Sequence, residues 1–164
     1  MKDAALAIVT NAKDEILLVK RVDVPVWVLP GGGIEPFETP EEAVIREVEE
    51  ETALRITIEK HIATYTPINR LSSLTHIFLC TPEEKVSIVC QKEEVASAQF
   101  FPLTALPEKL FFLHKTFIKE WQEAPLLPIT RKLTEVSYRA FFLYFLRHPL
   151  MVSRHLLTRW SKRS

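Results

Sequence analysis

The sequence predicts an α/β protein of the α+β type, in which short strands and two capped or amphipathic helices build one domain. Three observations support this fold class. The 164 residues are 47% hydrophobic, which suits a packed core. Short β-rich runs bounded by turn residues recur from the N-terminus to about residue 103. Two longer stretches carry helical signals. We place a domain at residues 1–123 and a basic, apolar helical extension at 124–164.

The predicted strands are short, and each ends at a polar, proline or glycine-containing turn. The first two flank the turn at residues 11–14, so we expect them to form a hairpin. The predicted strand segments are 4–10, 15–21, 27–29, 55–65, 74–80, 86–90 and 99–103.

The first helix has a complete start signal. Thr39 is a cap residue, Pro40 takes the first helical position, and Glu42 stands where a capping box needs it. We expect this helix to run to about Thr52. A second helix is expected at 108–123, and two further helical pieces at 133–147 and 151–160 in the extension.

Net charge, cysteine content and hydropathy argue against several classes of protein. The net charge is zero, which gives no general argument for nucleic-acid binding. Cys80 and Cys90 are too few for a disulfide framework, and we expect buried, reduced thiols. No stretch approaches the roughly 20 apolar residues of a membrane-spanning helix, and the N-terminal apolar run is short for a signal peptide. These features predict a cytoplasmic protein.

All three glycines of the chain are consecutive: Gly31, Gly32 and Gly33. Glycine allows backbone conformations and close approaches that other residues do not. A chain that concentrates its glycines immediately before a helix is expected to have a special loop there, whose backbone groups could approach a metal ion or a phosphate.

Three carboxylates follow on the first helix. Glu47, Glu50 and Glu51 have the spacing that places side chains on one helical face. One interpretation is a solvated acidic face. The other is a site for a hard divalent cation, which binds several oxygen ligands and shares them with substrate phosphates. Arg46 could pair with these carboxylates and orient them.

This region resembles the Nudix box, G-x5-E-x7-R-E-U-x-E-E-x-G-U, where U is a bulky apolar residue. Eight of the nine specified positions match within residues 32–54. Ala53 stands where the family has glycine, and Phe37 where a small residue, commonly glycine, precedes the box glutamate. The matching residues are Gly32, Glu38, Arg46, Glu47, Val48, Glu50, Glu51 and Leu54.

The resemblance implies a Nudix fold, in which a mixed, curved sheet lies between helices. It also implies Mg²⁺ or Mn²⁺ bound by Glu47, Glu50 and Glu51 with help from the Gly32 carbonyl. In the family, Arg46 and Glu38 mainly orient the loop and helix. We assign Gly31 and Gly33 to the substrate-binding loop, together with Arg21. The alternative interpretation of Arg21 is an ordinary surface residue at the end of a strand.

The general base is left open by the resemblance. Glu47 is one candidate. An acidic residue of a later loop is another, because Glu93 and Glu94 precede a strand that resembles the one after the family's later loop. Of these two we favour Glu94. The alternative for both residues of that loop is a solvated charge.

The predicted function is hydrolysis of a phosphoanhydride bond in a nucleoside diphosphate linked to another group, or in a related nucleotide. The alternative is a Nudix module that senses a nucleotide or binds a partner without catalysis. Residues 124–164 hold eight Lys or Arg and one acidic residue, whereas the rest holds thirteen and twenty. This basic extension is expected to pack on the domain or on a second copy in a homodimer; an anionic membrane surface and RNA are the alternatives.

Overall fold

A computed structural model describes residues 2–70, 72–83, 88–90, 95–123 and 128–136. Within these residues the chain forms two sheets and two helices, which confirms the predicted α+β class. The strands are β1 (Ala4–Val9), β2 (Glu15–Arg21), β3 (Trp27–Val28), β4 (Gly31–Gly33), β5 (Ile56–Pro67), β6 (Thr75–Pro82), β7 (Val95–Pro102) and β8 (Ile129–Leu133), and the helices are α1 (Pro40–Thr52) and α2 (Phe112–Gln122).

The larger sheet has the order β4-β1-β6-β5-β8 and is mixed. β1 pairs with β6, and β5 with β8, in parallel, whereas the other two pairs are antiparallel. The smaller sheet has the order β3-β2-β7 and is antiparallel throughout.

The predicted hairpin between the first two strands is wrong. β1 lies inside the larger sheet and β2 inside the smaller one, and the single bridge Thr10–Ile16 is the only pairing described between these two segments. β1 is buried along nearly its whole length. Its backbone N–H and C=O groups therefore need hydrogen-bond partners on both edges of the strand, and β4 and β6 supply them.

β1 divides the core into two layers. Leu6 and Ile8 face the smaller sheet and α2, whereas Ala5 and Ala7 face α1. The alternation follows from the two-residue period of a strand. Because the α1 side presents alanines, the helix can approach the sheet closely. The larger sheet therefore carries α1 on one face and α2 on the other, and the smaller sheet contributes residues to both core layers.

Several predicted boundaries differ from the structure. The three glycines form the edge strand β4 rather than a loop. Residues 88–90 form no strand, and residues 86 and 87 lie outside the described part. α2 begins at Phe112, not at residue 108, because residues 109–111 first pair with Trp27. Cys80 is buried as predicted, and burial raises the pKa of its thiol to about 12, whereas Cys90 is partly exposed.

β8 was not predicted, because its residues were assigned to the helical extension. Ile129–Leu133 pairs in parallel with β5, and Leu133, expected to start a helix, is the buried last residue of this strand. The remainder of the predicted helices, from residue 137 onward, lies outside the described residues. Among the described helices, none is long and apolar enough to span a membrane.

Candidate active site

α1 begins as the sequence predicts. The Glu42 N–H donates to Thr39 Oγ1 at 3.2 Å, and the Thr39 N–H donates to the Glu42 carboxylate at 2.8 Å. This reciprocal pair satisfies two amide groups that the first turn leaves without partners. The buried stripe of the helix is Ala43, Val44, Val48 and Thr52. With this stripe against the sheet, one flank of the helix, carrying Arg46, Glu47, Glu50 and Glu51, faces β4.

The two departures from the Nudix box occupy left-handed backbone conformations. Ala53 ends α1 with φ 57°, and its N–H donates to the Glu49 carbonyl at 2.8 Å. Phe37 has φ 70° and its side chain is fully exposed. Glycine adopts such angles without the steric penalty of a Cβ atom. The turns that the family makes with glycine are therefore kept here with other residues.

Gly31 is required for steric reasons, and at Gly32 a side chain would displace Glu47. Gly31 has φ 132°, and a Cβ atom there would lie 2.3 Å from the Ala5 carbonyl oxygen. A Cβ atom on Gly32 would lie 2.5 Å from the carboxyl carbon of Glu47. Gly33 differs, because the nearest atom to its added Cβ would be a flexible Lys2 side chain at 3.3 Å. Glu47 is therefore packed directly on the Gly32 backbone.

Arg46 connects the elements of the site. Its Nε and Nη2 donate to the two oxygens of Glu38 at 2.8 and 2.9 Å. Its Nη1 donates to Glu47 at 2.9 Å and to Glu50 at 3.3 Å, and Nη2 also reaches the Gly33 carbonyl at 3.2 Å. One guanidinium thus holds the segment before α1, two carboxylates of α1 and β4 in a fixed arrangement.

The charge of Glu38 is strongly favoured in this arrangement. Hydrogen bonds from the Arg46 side chain, followed by one from the Glu35 N–H at 2.9 Å, lower the pKa of Glu38 to about 2. Glu38 is therefore a carboxylate at neutral pH, and both of its oxygens accept hydrogen bonds from Arg46.

Glu51 contacts β4 directly. Its Oε2 accepts a hydrogen bond from the Gly31 N–H at 2.9 Å. Of the remaining predicted ligands, Glu47 lies one helical turn before Glu51 and Glu50 immediately precedes it, and both accept from Arg46 Nη1. All three predicted carboxylates are thus brought to the edge of the sheet formed by β4.

These residues fit a hard divalent cation by their chemistry. The donor set consists only of oxygen atoms, and the side chain of Glu50 is 51% exposed, so that an ion has access from solvent. In the described part of the chain, no three His, Cys, Asp or Glu side chains are already gathered as a metal centre. The guanidinium of Arg46 pairs with both Glu47 and Glu50 and supplies the positive charge beside them.

The backbone ligand predicted at Gly32 faces the neighbouring strand. The Ala7 N–H donates to the Pro30 carbonyl, and the Ile34 N–H to the Asp3 carbonyl, on either side of the pair Ala5–Gly32. In an antiparallel ladder the intervening pair is then hydrogen-bonded as well, so the Gly32 carbonyl faces Ala5. Only its second lone pair remains for a metal ion.

Arg21, Glu93 and Glu94 are the remaining predicted site residues. Arg21 ends β2 and donates two hydrogen bonds of 2.8 Å to Asp23. Glu93 and Glu94 lie outside the described residues. Just before them, the Val89 N–H donates to the Thr52 carbonyl at 3.0 Å, so the described part of that loop is attached to the end of α1.

Two polar features were missed by sequence reasoning. His114 on α2 accepts a hydrogen bond from the Leu29 N–H at 2.7 Å. In addition, Arg131 of β8 pairs with Glu120 of α2 at 2.6 Å, and Glu120 also accepts a hydrogen bond from Tyr65. Burial, and then the bond to Glu120, raise the pKa of the Tyr65 hydroxyl well above its usual value. No local spacing signals either feature, because the partners are distant in sequence.

Comparisons with known proteins agree with this fold. The family model of the NUDIX domain matches residues 1–121. An ADP-ribose pyrophosphatase from Methanocaldococcus jannaschii is 35% identical over 117 residues, which cover 66% of this chain and 66% of that protein. A CMP-5'-(N-acetyl-N-hydroxy-3-aminopropyl)phosphonate hydrolase from Streptomyces rubellomurinus is 31% identical over 112 residues, or 65% of this chain and 54% of that protein. The chain spans between 41% and 66% of the length of the first curated relatives that it matches.

Solved structures show the same fold. A NUDIX hydrolase from Nitrosomonas europaea superposes with a TM-score of 0.66 at 20% identity, over 80% of this chain and 79% of that one. An ADP-ribose pyrophosphatase from Streptococcus suis gives a TM-score of 0.63 at 24% identity, over 80% and 98% of the two chains. The fold and the carboxylate-bearing helix define a Nudix-type protein. The chain belongs to the NUDIX family.

Proposed function

We propose that this protein is a metal-dependent pyrophosphohydrolase that cleaves a phosphoanhydride bond of a nucleoside diphosphate linked to another group, or of a related nucleotide. The observation that carries the proposal is the position of Arg46. It holds Glu47, Glu50 and the Gly33 carbonyl together at the edge of the sheet, where Glu51 also contacts Gly31. A merely solvated acidic face would need no such links to the backbone of β4.

The residues that would hold the metal are Glu47, Glu50 and Glu51, with the second lone pair of the Gly32 carbonyl as a further donor. Mg²⁺ or Mn²⁺ bound there would neutralise phosphate charge and lower the pKa of an attacking water. On metal binding, Glu47 and Glu50 would exchange Arg46 for the ion. Glu38 would still hold Arg46 in place, because its two oxygens bind the guanidinium independently of Glu47 and Glu50.

Proton removal from the attacking water is assigned to a carboxylate, and two candidates remain. Glu47 is favoured by its position on the Gly32 backbone, within the carboxylate cluster. Glu94 is the alternative predicted from the sequence. Glu94→Gln distinguishes them, because Glu47 is also a proposed metal ligand and its substitution would impair activity in either case. A large loss of kcat in Glu94→Gln with retained metal and nucleotide binding would identify Glu94 as the base, and an unchanged kcat would leave Glu47.

The substrate class is inferred from the family and from the names of the relatives. Two of them are an ADP-ribose pyrophosphatase and a CMP-5'-(N-acetyl-N-hydroxy-3-aminopropyl)phosphonate hydrolase, and both names describe hydrolysis of a compound that contains a nucleotide. The part of the substrate beyond the diphosphate is recognised by residues outside the box, so the choice among such nucleotides is a matter for direct assay.

The assay incubates the full chain with ADP-ribose, a dinucleoside polyphosphate, 8-oxo-dGTP and a nucleoside diphosphate sugar in the presence of Mg²⁺. We expect one or more to be hydrolysed, and we expect Glu50→Gln and Glu51→Gln each to lower kcat by at least about 100-fold. Glu49→Gln is the matched control. Glu49 is adjacent, is also 51% exposed and pairs only at the surface with Arg55.

Absence of hydrolysis with every substrate would reject the proposal, as would equal losses in Glu50→Gln and Glu49→Gln. Tight nucleotide binding without turnover would instead identify the chain as a nucleotide-binding module of the same family.

A further inference from the structure

His114 is a polar residue of α2 with no part in the proposed chemistry. Its imidazole lies between Phe111 and Phe117, with ring centroids 5.4 and 5.8 Å away. Its Nδ1 accepts a hydrogen bond from the Leu29 N–H at 2.7 Å. A ring nitrogen that accepts carries no proton, so His114 is neutral and its proton is on Nε2. Burial, with a smaller effect of the Arg21 charge, lowers the pKa of His114 to about 3, so the ring stays an acceptor at neutral pH.

His114 completes a row of hydrogen bonds along β3. The Trp27 N–H donates to the Lys109 carbonyl, and the Phe111 N–H donates to the Trp27 carbonyl, both at 2.9 Å. The next donor on this edge is the Leu29 N–H. At that point the neighbouring chain has already turned into α2, whose carbonyls are used within the helix. The His114 side chain therefore supplies the acceptor that a continued strand would have supplied.

The residues after Leu29 are held from two other directions. The Pro30 carbonyl accepts from the Ala7 N–H of β1 at 2.9 Å. The Gly31 N–H donates to Glu51 Oε2 of α1, also at 2.9 Å. Residues 29–31 thus make hydrogen bonds to α2, to β1 and to α1. Because the Gly31 N–H donates to the Glu51 carboxylate, the position of Gly31 contributes to the orientation of Glu51.

We propose that His114 is a positioning residue of the metal site: by holding Leu29 against α2, it sets the position of Gly31 and through it the orientation of Glu51. This inference rests on the proposed function. Without the acceptor, the Leu29 N–H must find water or another partner, because Leu29 is buried and an unpaired amide is unfavourable there. The shift is transmitted over two residues to Gly31.

The test measures binding of Mn²⁺ alone, by electron paramagnetic resonance of the free ion, in the full chain and three variants. His114→Leu removes the acceptor, and we expect the affinity for Mn²⁺ to fall about 10-fold, as for other residues that orient a metal ligand. His114→Asn keeps an acceptor near the position of Nδ1 and should restore most of the affinity. Ile118→Ala is the matched control, because it loosens the same helix in the core and leaves the His114 acceptor of the Leu29 N–H in place.

The outcomes separate the two proposals. Wild-type affinity in His114→Leu, or an equal loss in Ile118→Ala, would overturn the positioning role and leave the proposed function intact. Absence of Mn²⁺ binding by the wild-type chain would instead remove the metal site itself. With substrate, His114→Leu should raise the Mg²⁺ concentration needed for half activation and lower kcat, while the KM for the nucleotide stays nearly constant.

A measurement on the wild-type chain covers the case in which His114→Leu does not fold. Titration with Mg²⁺ should shift the NMR signals of the Leu29 amide and the His114 ring nitrogens. Both shifts should give the same apparent dissociation constant, equal to the Mg²⁺ concentration that half-activates hydrolysis. Unchanged signals at both residues during saturation of the site would contradict the inference.

Discussion

Glu38 and Arg46 form a two-point ion pair, with Nε–Oε1 and Nη2–Oε2 distances of 2.8 and 2.9 Å. The pair joins the segment before α1 to the middle of the helix. It also sets the plane of a guanidinium whose third nitrogen contacts two carboxylates. The planar fork of arginine is essential to this arrangement, because the ammonium of lysine cannot bond both oxygens of Glu38 and still reach Glu47 and Glu50.

Arg46→Lys is therefore expected to lower kcat/KM by about 10- to 100-fold, although the positive charge is kept. Steady-state kinetics with the best substrate of the panel measures this effect. Arg55→Lys is the control, because Arg55 is 76% exposed and pairs with Glu49 at 3.4 Å outside the site. Equal activity of the two variants would show that the fork of Arg46 has no role.

The same pair predicts a dependence of stability on pH. The pKa of Glu38 falls from its ordinary 4.5 to about 2 on folding, so the unfolded chain binds the proton more tightly. This contribution to stability is fully present above about pH 4.5 and is lost as the pH falls through 4.5 toward 2. Denaturant titrations at several acidic pH values should show a shallower loss of stability in Glu38→Gln than in the wild-type chain. Parallel curves would contradict the lowered pKa.

His114 contributes to acid sensitivity in a higher range. Its pKa is lowered from 6.5 to about 3 in the folded chain, so the unfolded chain binds more protons between these values. Its contribution is complete above pH 6.5 and is lost as the pH falls toward 3, by at most about 1.4 kcal/mol per pH unit. His114→Asn should flatten the stability curve in this window. His76, whose pKa is lowered first by burial and then by His61, acts in the same direction and remains in both proteins.

Ala53→Gly is expected to raise the free energy of unfolding by about 1 kcal/mol, because glycine adopts the left-handed φ of 57° without strain. The same argument applies to Phe37→Gly, whose exposed ring contributes no packing. Midpoints of urea unfolding measure both changes. Ala43→Gly should have the opposite sign, since Ala43 lies inside α1. Destabilisation by both Ala53→Gly and Phe37→Gly would refute the steric argument.

The place of β8 in the sheet determines where the chain can be shortened. Removal of residues 137–164 keeps β8 and the Arg131–Glu135 contact of 2.6 Å, so we expect cooperative unfolding and retained activity. Removal from residue 129 exposes the edge of β5 and deprives Glu120 of Arg131, and we expect an aggregating or strongly destabilised protein. The shorter deletion also tests the basic extension. Unchanged self-association, RNA binding and binding to anionic vesicles would exclude a partner role for it.

The predictable parts of the fold were those whose signals are local. The capping box at Thr39 and Glu42 and the spacing of the three glutamates are written within a few residues of one another, and the structure has the helix where they predict it. The turn at residues 11–14 is equally local, but it does not reveal that β1 pairs with β6, some seventy residues away. Pairing partners of this kind depend on the whole core.

The same distinction applies to the site. The Nudix-like spacing predicted which residues share the flank of α1, and the described contacts bring them together. It could not predict His114, whose partner Leu29 is 85 positions away, and a single histidine on an apolar helix carries no signal of its role. β8 was missed because Ile129 and Leu133 are as compatible with an apolar helix stripe as with a strand.

Gly33 has a consequence for altering β4. Unlike its two predecessors, it has room for a side chain, since an added Cβ atom meets mainly the Lys2 side chain, and its carbonyl accepts a hydrogen bond from Arg46. Successive side chains of a strand point to opposite faces, so a side chain at position 33 would lie on the face of β4 opposite Glu47. Position 33 is therefore the point in β4 at which a side chain can be added without displacing the carboxylates of α1.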